Sequence, residues 1–234
     1  MTEISYIGNE LHLFQYAENW KRYYANFIKP YIKGKVLEVG AGIGSTTTYL
    51  CDGSYDEWLC LEPDPTLYNE LKGKIDAKKL PACCKAKKGV SADIDATERY
   101  DTILYIDVIE HIEDDRQELV HSMKHLNTNG HLIVLVPAHQ FLFNEFDKAI
   151  GHYRRYNKKS LLSVTPGDMQ VQKIFYLDSV GLFASMMNKY FLKQDYPTMK
   201  QINLWDKVMV TISKITDRLI NYTLGKSLIG VWKK

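Results

Sequence analysis

A glycine-rich turn is the segment of this sequence whose residue types point most directly to chemistry. Val36 to Gly44 reads VLEVGAGIG, so an apolar run leads into three glycines spaced two residues apart. Glycine adopts backbone conformations closed to other residues and lets the main chain approach a ligand. A helix behind such a turn offers free N–H groups. Eighteen residues after Gly44 stands Glu62, a carboxylate that can accept both hydroxyls of an adenosine ribose.

The spacing within the turn distinguishes two classes of ligand. Dinucleotide-binding domains favour G-x-G-x-x-G, with the pyrophosphate at the helix N-terminus. Here the spacing is G-x-G-x-G, and Glu38 precedes the first glycine by two residues. A carboxylate at the mouth of the turn would repel a pyrophosphate and attract a cation. The pattern therefore favours S-adenosylmethionine, which carries a sulfonium and an ammonium group, with a nicotinamide-dependent oxidoreductase as the alternative.

Three histidines follow the strands whose carboxyl ends would face the same ligand. His111 comes after the predicted fourth strand, and His139 and His152 come after the fifth. Ligands of open α/β sheets bind outside these strand ends, and histidine exchanges protons near neutral pH. We predict all three as catalytic bases. The alternatives are surface-loop histidines for His139 and His152, and a helix-capping pair for Glu110 and His111.

Residues 138–160 form a connection too long to be idle, and it is both aromatic and basic. Long connections at the carboxyl end of a strand are commonly lids or binding loops, and arginine can hold a carboxylate or phosphate with two hydrogen bonds. We predict that Tyr153, Arg154 and Tyr156 bind a substrate there. The alternative is that the arginines pair within the loop, with Asp147 or Glu145.

The composition places these residues in a globular chain. It has 234 residues, of which 45% are hydrophobic and 25% charged, and these values exclude disordered and fibrous classes. A net charge of +2 does not demand a nucleic-acid partner. The N-terminus shows no signal peptide and no run is apolar enough to span a membrane, so we predict a cytoplasmic protein. Met and aromatic residues within 180–192 leave peripheral membrane contact open.

No metal site is predicted. The cysteines lack CxxC spacing and a nearby histidine pair, which argues against structural zinc. His121 and His125 are four residues apart, but the apolar side of their predicted helix lies elsewhere, so both should face solvent.

Apolar runs and turn residues predict the elements that position these side chains. Strands are expected at 35–39, 57–61, 82–88, 100–106, 131–136, 171–177 and 228–232, and helices at 11–29, 45–50, 65–75, 113–126, 179–192 and 203–222. Strands that alternate with helices indicate βαβ units. The predicted fold is therefore α/β, with a mostly parallel sheet and helices on both of its faces.

Three stretches together resemble one enzyme family. VLEVGAGIG, followed by CLEPD and then YDTILYIDVIEHIEDD, is similar to the class I S-adenosylmethionine-dependent methyltransferases, most of all to the small-molecule group of the ubiquinone-biosynthesis type. The resemblance covers residues 35–137 and the last strand. It implies a Rossmann-like sheet of seven strands with the last antiparallel. The predicted elements and the absence of internal repeats indicate one domain, with a helical cap at 1–33, a cofactor-binding core at 34–137, an acceptor lid with helices at 138–225 and a last strand at 226–234.

The resemblance also assigns roles within that core. It implies that the glycine turn lines the methionine and ribose parts of the cofactor, that Glu62 holds the ribose, and that Val90 and Ser91 contact the adenine. Asp107 would close the site, and Glu110 with His111 would serve acceptor or metal binding. The full predicted cofactor set is Glu38, Gly40, Ala41, Gly42, Glu62, Pro63, Val90, Ser91, Asp107 and Val108.

The function implied is methyl transfer from S-adenosylmethionine to an oxygen or nitrogen of a small molecule, releasing S-adenosylhomocysteine. The alternatives are a regulatory protein that binds the cofactor without transferring the methyl group, and an RNA methyltransferase. No appended RNA-binding motif is visible, so nucleic acid is the less favoured partner.

Overall fold

The computed structural model describes residues 10–192 and 196–234, and within them one seven-stranded sheet. Its strands are β1 (Lys35–Val39), β2 (Glu57–Glu62), β3 (Cys84–Lys88), β4 (Tyr100–Ile106), β5 (Leu126–Pro137), β6 (Gln170–Leu177) and β7 (Ser227–Lys233). They lie in the order β3-β2-β1-β4-β5-β7-β6, and β7 runs antiparallel to both its neighbours. The predicted Rossmann-like, mostly parallel sheet of seven strands is confirmed.

Helices cover both faces of the sheet and lie at both ends of the described chain. They are α1 (Glu10–Phe14), α2 (Glu18–Ile28), α3 (Thr47–Leu50), α4 (Pro65–Asp76), α5 (Asp115–Ser122), α6 (Glu145–Ala149), α7 (Lys158–Val164), α8 (Ser179–Met187), α9 (Met199–Leu204) and α10 (Val210–Leu219). One π-helical turn, Asn188–Leu192, extends α8, and another, Trp205–Met209, joins α9 to α10. Residues 1–9 of the predicted cap lie outside the described residues.

Alternation along the strands builds two cores, one on each face of the sheet. Val36 and Trp58 belong to a buried cluster that includes Ile28 of α2. Leu37, the next residue along β1, belongs to a second cluster that includes Leu119 of α5. Each such side chain contributes about 1.5–3 kcal/mol when buried. The two cores hold the sheet rigid, and its strand ends therefore form a fixed floor.

The segment after α5 differs from the prediction. A helix was expected to continue to residue 126, but a 3₁₀ turn ends it and Leu126 pairs with Tyr100 as the first residue of β5. His125 is buried, and its Nδ1 lies 3.1 Å from the carbonyl oxygen of Glu98. The prediction that His121 and His125 both face solvent is therefore wrong for His125.

The long connection after β5 is closed at its base. The amide of Tyr156 donates to the Pro137 oxygen at 2.9 Å, and the amide of His139 donates to the Tyr156 oxygen at 2.7 Å. Asn144 and Asp147 cap α6 reciprocally through side-chain bonds to each other's backbone amides. The connection after β5, which was predicted as a loop, is therefore an ordered segment that contains the short helix α6.

Two buried carboxylates fix the C-terminal helix against the rest of the protein. Asp206 accepts hydrogen bonds from the amides of Asn19 and Trp20, at 3.1 and 2.8 Å, at the start of α2. Asp217 accepts from the amides of Asp178 and Ser179, at 2.7 and 2.8 Å, at the start of α8. Carboxylates stabilise helix N-termini because the free N–H groups and the helix dipole favour negative charge there. These bonds set which side of the α9–α10 segment faces inward.

Candidate active site

A cavity of about 1000 Å³ opens at the carboxyl ends of β1, β2 and β4. Its walls come from α1, α2, the segment 146–155 and Trp205, which lies in the π-helical turn before α10. Small-molecule sites range over about 300–1000 Å³. The cavity therefore has room for a nucleoside-sized cofactor and a second small molecule beside it.

The glycine turn forms the floor of one end of this cavity. The amides of Gly40 and Ala41 both donate to the Leu61 oxygen, at 2.8 and 3.1 Å, and this ties the turn to β2. Gly40 has φ of +67°, and a Cβ there would lie 2.6 Å from Val108. Gly42 also has a positive φ, of +56°. Glycine is required at both positions because other residues would be strained in this conformation.

Glu62 closes the turn from the side. Its Oε2 accepts the Gly42 amide at 2.7 Å, and its Oε1 accepts the Asp64 amide at 2.9 Å. Burial raises the pKa of Glu62, although these two hydrogen bonds oppose the shift. Each carboxylate oxygen can accept a further hydrogen bond, and Glu62 lines the cavity. It can therefore hold hydroxyl groups of a ligand while it fixes the turn.

The structure does not place Glu38 at the mouth of the turn as predicted. Its Oε2 accepts hydrogen bonds from Thr47 Oγ1 and Trp58 Nε1, both at 2.7 Å, beneath the turn. Burial raises its pKa to about 7, and it is not among the cavity-lining residues. The other nine predicted cofactor residues all line the cavity, namely Gly40, Ala41, Gly42, Glu62, Pro63, Val90, Ser91, Asp107 and Val108.

Asp107 brings a carboxylate to the middle of the cavity. It follows β4 in a left-handed conformation, with φ of +54°, and its side chain is open to the cavity. The surrounding protein removes water from the Asp107 carboxylate, and this desolvation raises its pKa to about 7. The positive charges of Lys226 and Lys21 oppose that shift. A cationic ligand would stabilise its ionised form.

Lys21 is a cavity residue that the sequence did not single out. It comes from α2, is almost fully buried, and donates through Nζ to the backbone oxygens of Phe14 and Gln15. Burial lowers the pKa of Lys21 to about 8. Trp205 and Lys226 line the cavity as well. No sequence motif marks Lys21, Trp205 or Lys226, and the last two also lie far along the chain from the glycine turn.

A histidine and a carboxylate form a pair in the cavity wall. His152 Nδ1 lies 2.9 Å from Asp147 Oδ1, and Arg155 Nε donates to both oxygens of Asp147, at 2.9 and 3.0 Å. Burial raises the pKa of Asp147, but the His152 hydrogen bond and the Arg155 charge outweigh it, so the pKa lies below its usual range. An ionised carboxylate can only accept. Nδ1 of His152 therefore donates, and in the neutral ring Nε2 is left as an acceptor.

Glu110 and His111 lie beside this pair and also line the cavity. Glu110 is fully buried, and neither of its carboxylate oxygens has a hydrogen-bond partner of good geometry. Burial, followed by the charge of Asp107, raises its pKa well above the usual range. Burial and His152 lower the pKa of His111 to about 3. His111 is therefore a neutral imidazole at neutral pH, whereas burial favours the protonated form of Glu110.

Three of the predicted catalytic and substrate residues lie outside the cavity. The ring of His139 stacks on Tyr176, with centroids 5.0 Å apart. Tyr156 is buried, and its hydroxyl donates to Asp115 Oδ2 at 2.5 Å. Arg154 pairs with the same carboxylate at 2.9 Å. The predicted roles of His139, Arg154 and Tyr156 therefore stay predictions, and these three residues do not line the cavity, whereas Tyr153 does.

Two groups among the described residues bring enough donor atoms together to hold a metal ion. Glu110, His111 and His152 form one, inside the cavity. Cys51, Cys83 and Cys84 form the other, away from it, with sulfur atoms 3.4 and 3.6 Å apart. The prediction of no metal site stays a prediction.

Known proteins share both the domain and the fold. Residues 37–132 match a family described as methyltransferase domain. Coclaurine N-methyltransferase, crystallised with N-methylheliamine and S-adenosylhomocysteine, superposes with a TM-score of 0.63 at 15% identity, over 93% of this chain and 72% of its own. NodS, an N-methyltransferase from Bradyrhizobium japonicum WM9 in complex with S-adenosylhomocysteine, superposes with a TM-score of 0.59 at 11% identity, over 94% and 88%.

A third solved structure, an S-adenosylmethionine-dependent methyltransferase from Clostridium acetobutylicum ATCC 824, gives a TM-score of 0.61 at 9% identity, over 95% of this chain and 96% of its own.

A search of curated proteins finds no match to the sequence. Within the described ranges, no helix has the length and apolar character needed to cross a membrane. Residues 37–132 are similar to a methyltransferase domain, and the chain has the fold of S-adenosylmethionine-dependent methyltransferases.

Proposed function

We propose that the protein transfers the methyl group of S-adenosylmethionine to an oxygen or nitrogen of a small-molecule acceptor, with His152 as the base. The observation that carries this proposal is the pairing of His152 with Asp147 at 2.9 Å, in the wall of the cavity that the glycine turn also lines. The cofactor supplies a methyl group on a sulfonium centre, which a nucleophile attacks in line. The protein has to bind both molecules, orient them and remove a proton.

The cofactor half of the cavity suits the groups that S-adenosylmethionine carries. Glu62 accepts the ribose hydroxyls, and Val90 and Ser91 border the adenine. Asp107 lies near the cationic sulfonium and ammonium groups, whose charges favour its ionised form. Lys21 binds the carboxylate of the methionine part, since a buried ammonium group gains most from an opposite charge. The two lysines and the raised pKa of Asp107 support this orientation.

The acceptor half supplies the proton transfer. Asp147 holds His152 through Nδ1, so that Nε2 faces the cavity and can accept a proton from a hydroxyl or protonated amine. Arg155 holds Asp147 ionised and in place. His111 packs edge-on against His152, with ring centroids 4.4 Å apart. Glu110, whose protonated form is favoured by burial, offers a hydrogen bond to the acceptor. Tyr153 covers the acceptor from the solvent side, as its exposure allows.

Two measurements test the proposal. Calorimetry should show binding of both S-adenosylmethionine and S-adenosylhomocysteine, and failure of both to bind would overturn it. Methyl-labelled cofactor incubated with fractions of a cell extract should then label small molecules. Label in RNA would instead favour the RNA methyltransferase. Tight cofactor binding without label in any fraction would favour a regulatory protein.

A further inference from the structure

The outer side of the C-terminal helix carries an apolar stripe. Val208, Ile212, Ile215 and Leu219 follow one another at spacings of four, three and four residues, so they share one side of α10 and the turn before it. This side faces away from the protein, since Ile215 is 63% exposed and Leu219 is 79% exposed. Contiguous exposed apolar surface marks an interaction site. We call these four residues the outer stripe.

A neighbouring helix also exposes apolar side chains. On α8, Phe183 is 62% exposed and Met187 is 53% exposed. This helix packs against α10 through Ser179 and Thr216, whose hydroxyl oxygens are 2.7 Å apart. Large apolar side chains are therefore exposed on two helices in direct contact.

The charges beside the outer stripe are all of one sign. Lys207, Lys214 and Arg218 each come directly before a residue of the stripe, which places them about 100° around the helix on the same flank. The two acids of this helical segment, Asp206 and Asp217, point inward and are buried at the N-termini of other helices. Within residues 199–219 the solvent therefore meets apolar and basic side chains without an exposed acid.

The inner side of the same segment belongs to the active-site cavity. Trp205 lines that cavity and packs edge-on against Phe14, with ring centroids 5.9 Å apart. A surface that covers the outer stripe would thus lie one helix diameter from the cavity wall, roughly 10 Å away.

We propose that the outer stripe, with Phe183 and Met187, binds the headgroup region of an anionic membrane. Apolar side chains flanked by Lys and Arg are the pattern of helices that lie in this interface, where the apolar side enters the acyl boundary and the cations meet lipid phosphates. A second copy of the chain fits less well. A two-fold dimer would bring two basic flanks together with no exposed acid on this segment to pair them. Resting on the proposed function, the inference also assigns the acceptor to molecules with a lipid-soluble part.

Vesicle flotation with the full chain tests the membrane contact. The protein should float with vesicles of phosphatidylcholine and phosphatidylglycerol in equal parts, more weakly with phosphatidylcholine alone, and more weakly as salt rises. The double variant Ile215→Ser/Leu219→Ser should partition at least about tenfold more weakly, because it removes two large apolar contacts. Lys207→Glu/Arg218→Glu should lose the preference for phosphatidylglycerol.

Matched controls separate this effect from a folding defect. Val120→Ser/Leu162→Ser replaces two exposed apolar residues on other helices and should leave vesicle binding unchanged. Every variant should keep the parental melting temperature and the affinity for S-adenosylhomocysteine. Failure of the parent to float with either vesicle overturns the proposal. So does a parental dimer in sedimentation equilibrium that Ile215→Ser/Leu219→Ser converts to monomer without any vesicle binding.

The acceptor assignment has its own readout. Label from the methyl group should appear in products that partition into an organic phase, and label confined to water-soluble products overturns it. Cofactor calorimetry is independent of both experiments, so a failure of the proposed methyl transfer is distinguishable from a failure of membrane binding.

Discussion

The end of the cavity that holds Gly40, Glu62 and Asp107 is made by strand ends that follow one another along the chain. A second region of the same cavity combines Glu110, which follows β4, with Asp147 and His152 of the long connection after β5. Glu110 lies next to His152 because a backbone bond joins their segments, from the Tyr153 amide to the Glu110 oxygen at 2.8 Å. In the first region, the backbone conformation requires glycine at Gly40 and Gly42. In the second, the residues are held by side-chain pairing within the long connection after β5.

In the proposed function, the first region binds the cofactor and the second removes the proton. The strand-end region offers a rigid floor with carboxylates directed into the cavity, which suits a cofactor of fixed shape. The connection after β5 carries a paired histidine and an arginine on a short ordered segment. Such segments differ among proteins that share a fold, and this suits a site for the acceptor. Variants in the first region should therefore change cofactor affinity, and variants in the second should change turnover.

The largest effect is expected from His152→Ala. Removal of a general base lowers turnover by about 10²–10⁴-fold, and the dissociation constant of S-adenosylmethionine should stay at the parental value. Label transfer to an extract and calorimetry measure the two quantities. The control is His139→Ala, since this histidine follows the same strand but lies outside the cavity. An equal loss of turnover in His152→Ala and His139→Ala would contradict the role of His152 as the base.

Glu62→Ala should act in the opposite way. Loss of the ribose contacts should weaken S-adenosylmethionine binding by about 1–3 kcal/mol, measured by calorimetry. Glu57→Ala is the matched control, because Glu57 begins the same strand and pairs with surface lysines. Unchanged affinity in Glu62→Ala, with a parental melting temperature, would show that Glu62 only supports the turn.

Cofactor affinity should fall as the pH drops below 7. The pKa of Asp107 is raised to about 7, so Asp107 becomes neutral below that pH and loses its attraction to the cationic cofactor. The decrease is at most about tenfold per pH unit. Neutral 5′-methylthioadenosine should show a flat profile, and Asp107→Asn should flatten the profile of S-adenosylmethionine. A slope that persists in Asp107→Asn would assign the titration to another group.

The smallest effect on activity is expected from Arg154→Ala. Arg154 is partly exposed and lies outside the cavity, and it pairs with the buried Asp115, which keeps its hydrogen bond from Tyr156, so its loss should lower stability by about 1–3 kcal/mol. Turnover should stay parental. Arg155→Ala should lower turnover in the same assay, because Asp147 loses its cationic partner. Thermal unfolding measures the stability of both variants, and label transfer measures their turnover. A larger loss of turnover in Arg154→Ala than in Arg155→Ala would place the acceptor on the Arg154 side of this segment.

Much of the fold was predictable because it depends on local pattern. The bounds of β1 and β4 agree with the sequence prediction, since buried parallel strands are continuous apolar runs that end at turns. The π-helical turn that places Trp205 in the cavity wall was not predictable. It depends on how α9 and α10 are held by Asp206 and Asp217, and both acids bond to distant helices.

Among the candidate residues, the position of Glu38 differs from the sequence prediction for a definable reason. Glu38 and Glu62 are both acids at strand ends, yet only Glu62 lines the cavity, because the pleat turns Glu38 toward Trp58. Residue type made both acids candidates for binding the cofactor. Orientation depended on which face of the sheet each side chain meets.

Residues 153–156 show what each level decided. The sequence by itself determined that an aromatic and basic segment follows the fifth strand. Only the tertiary structure decided that Tyr153 and Arg155 line the cavity whereas Arg154 and Tyr156 do not. Neighbouring side chains of an extended segment point to opposite sides, so one anchor sets the direction of all four. That anchor is the Tyr156 hydroxyl on Asp115, a residue 41 positions earlier in the chain.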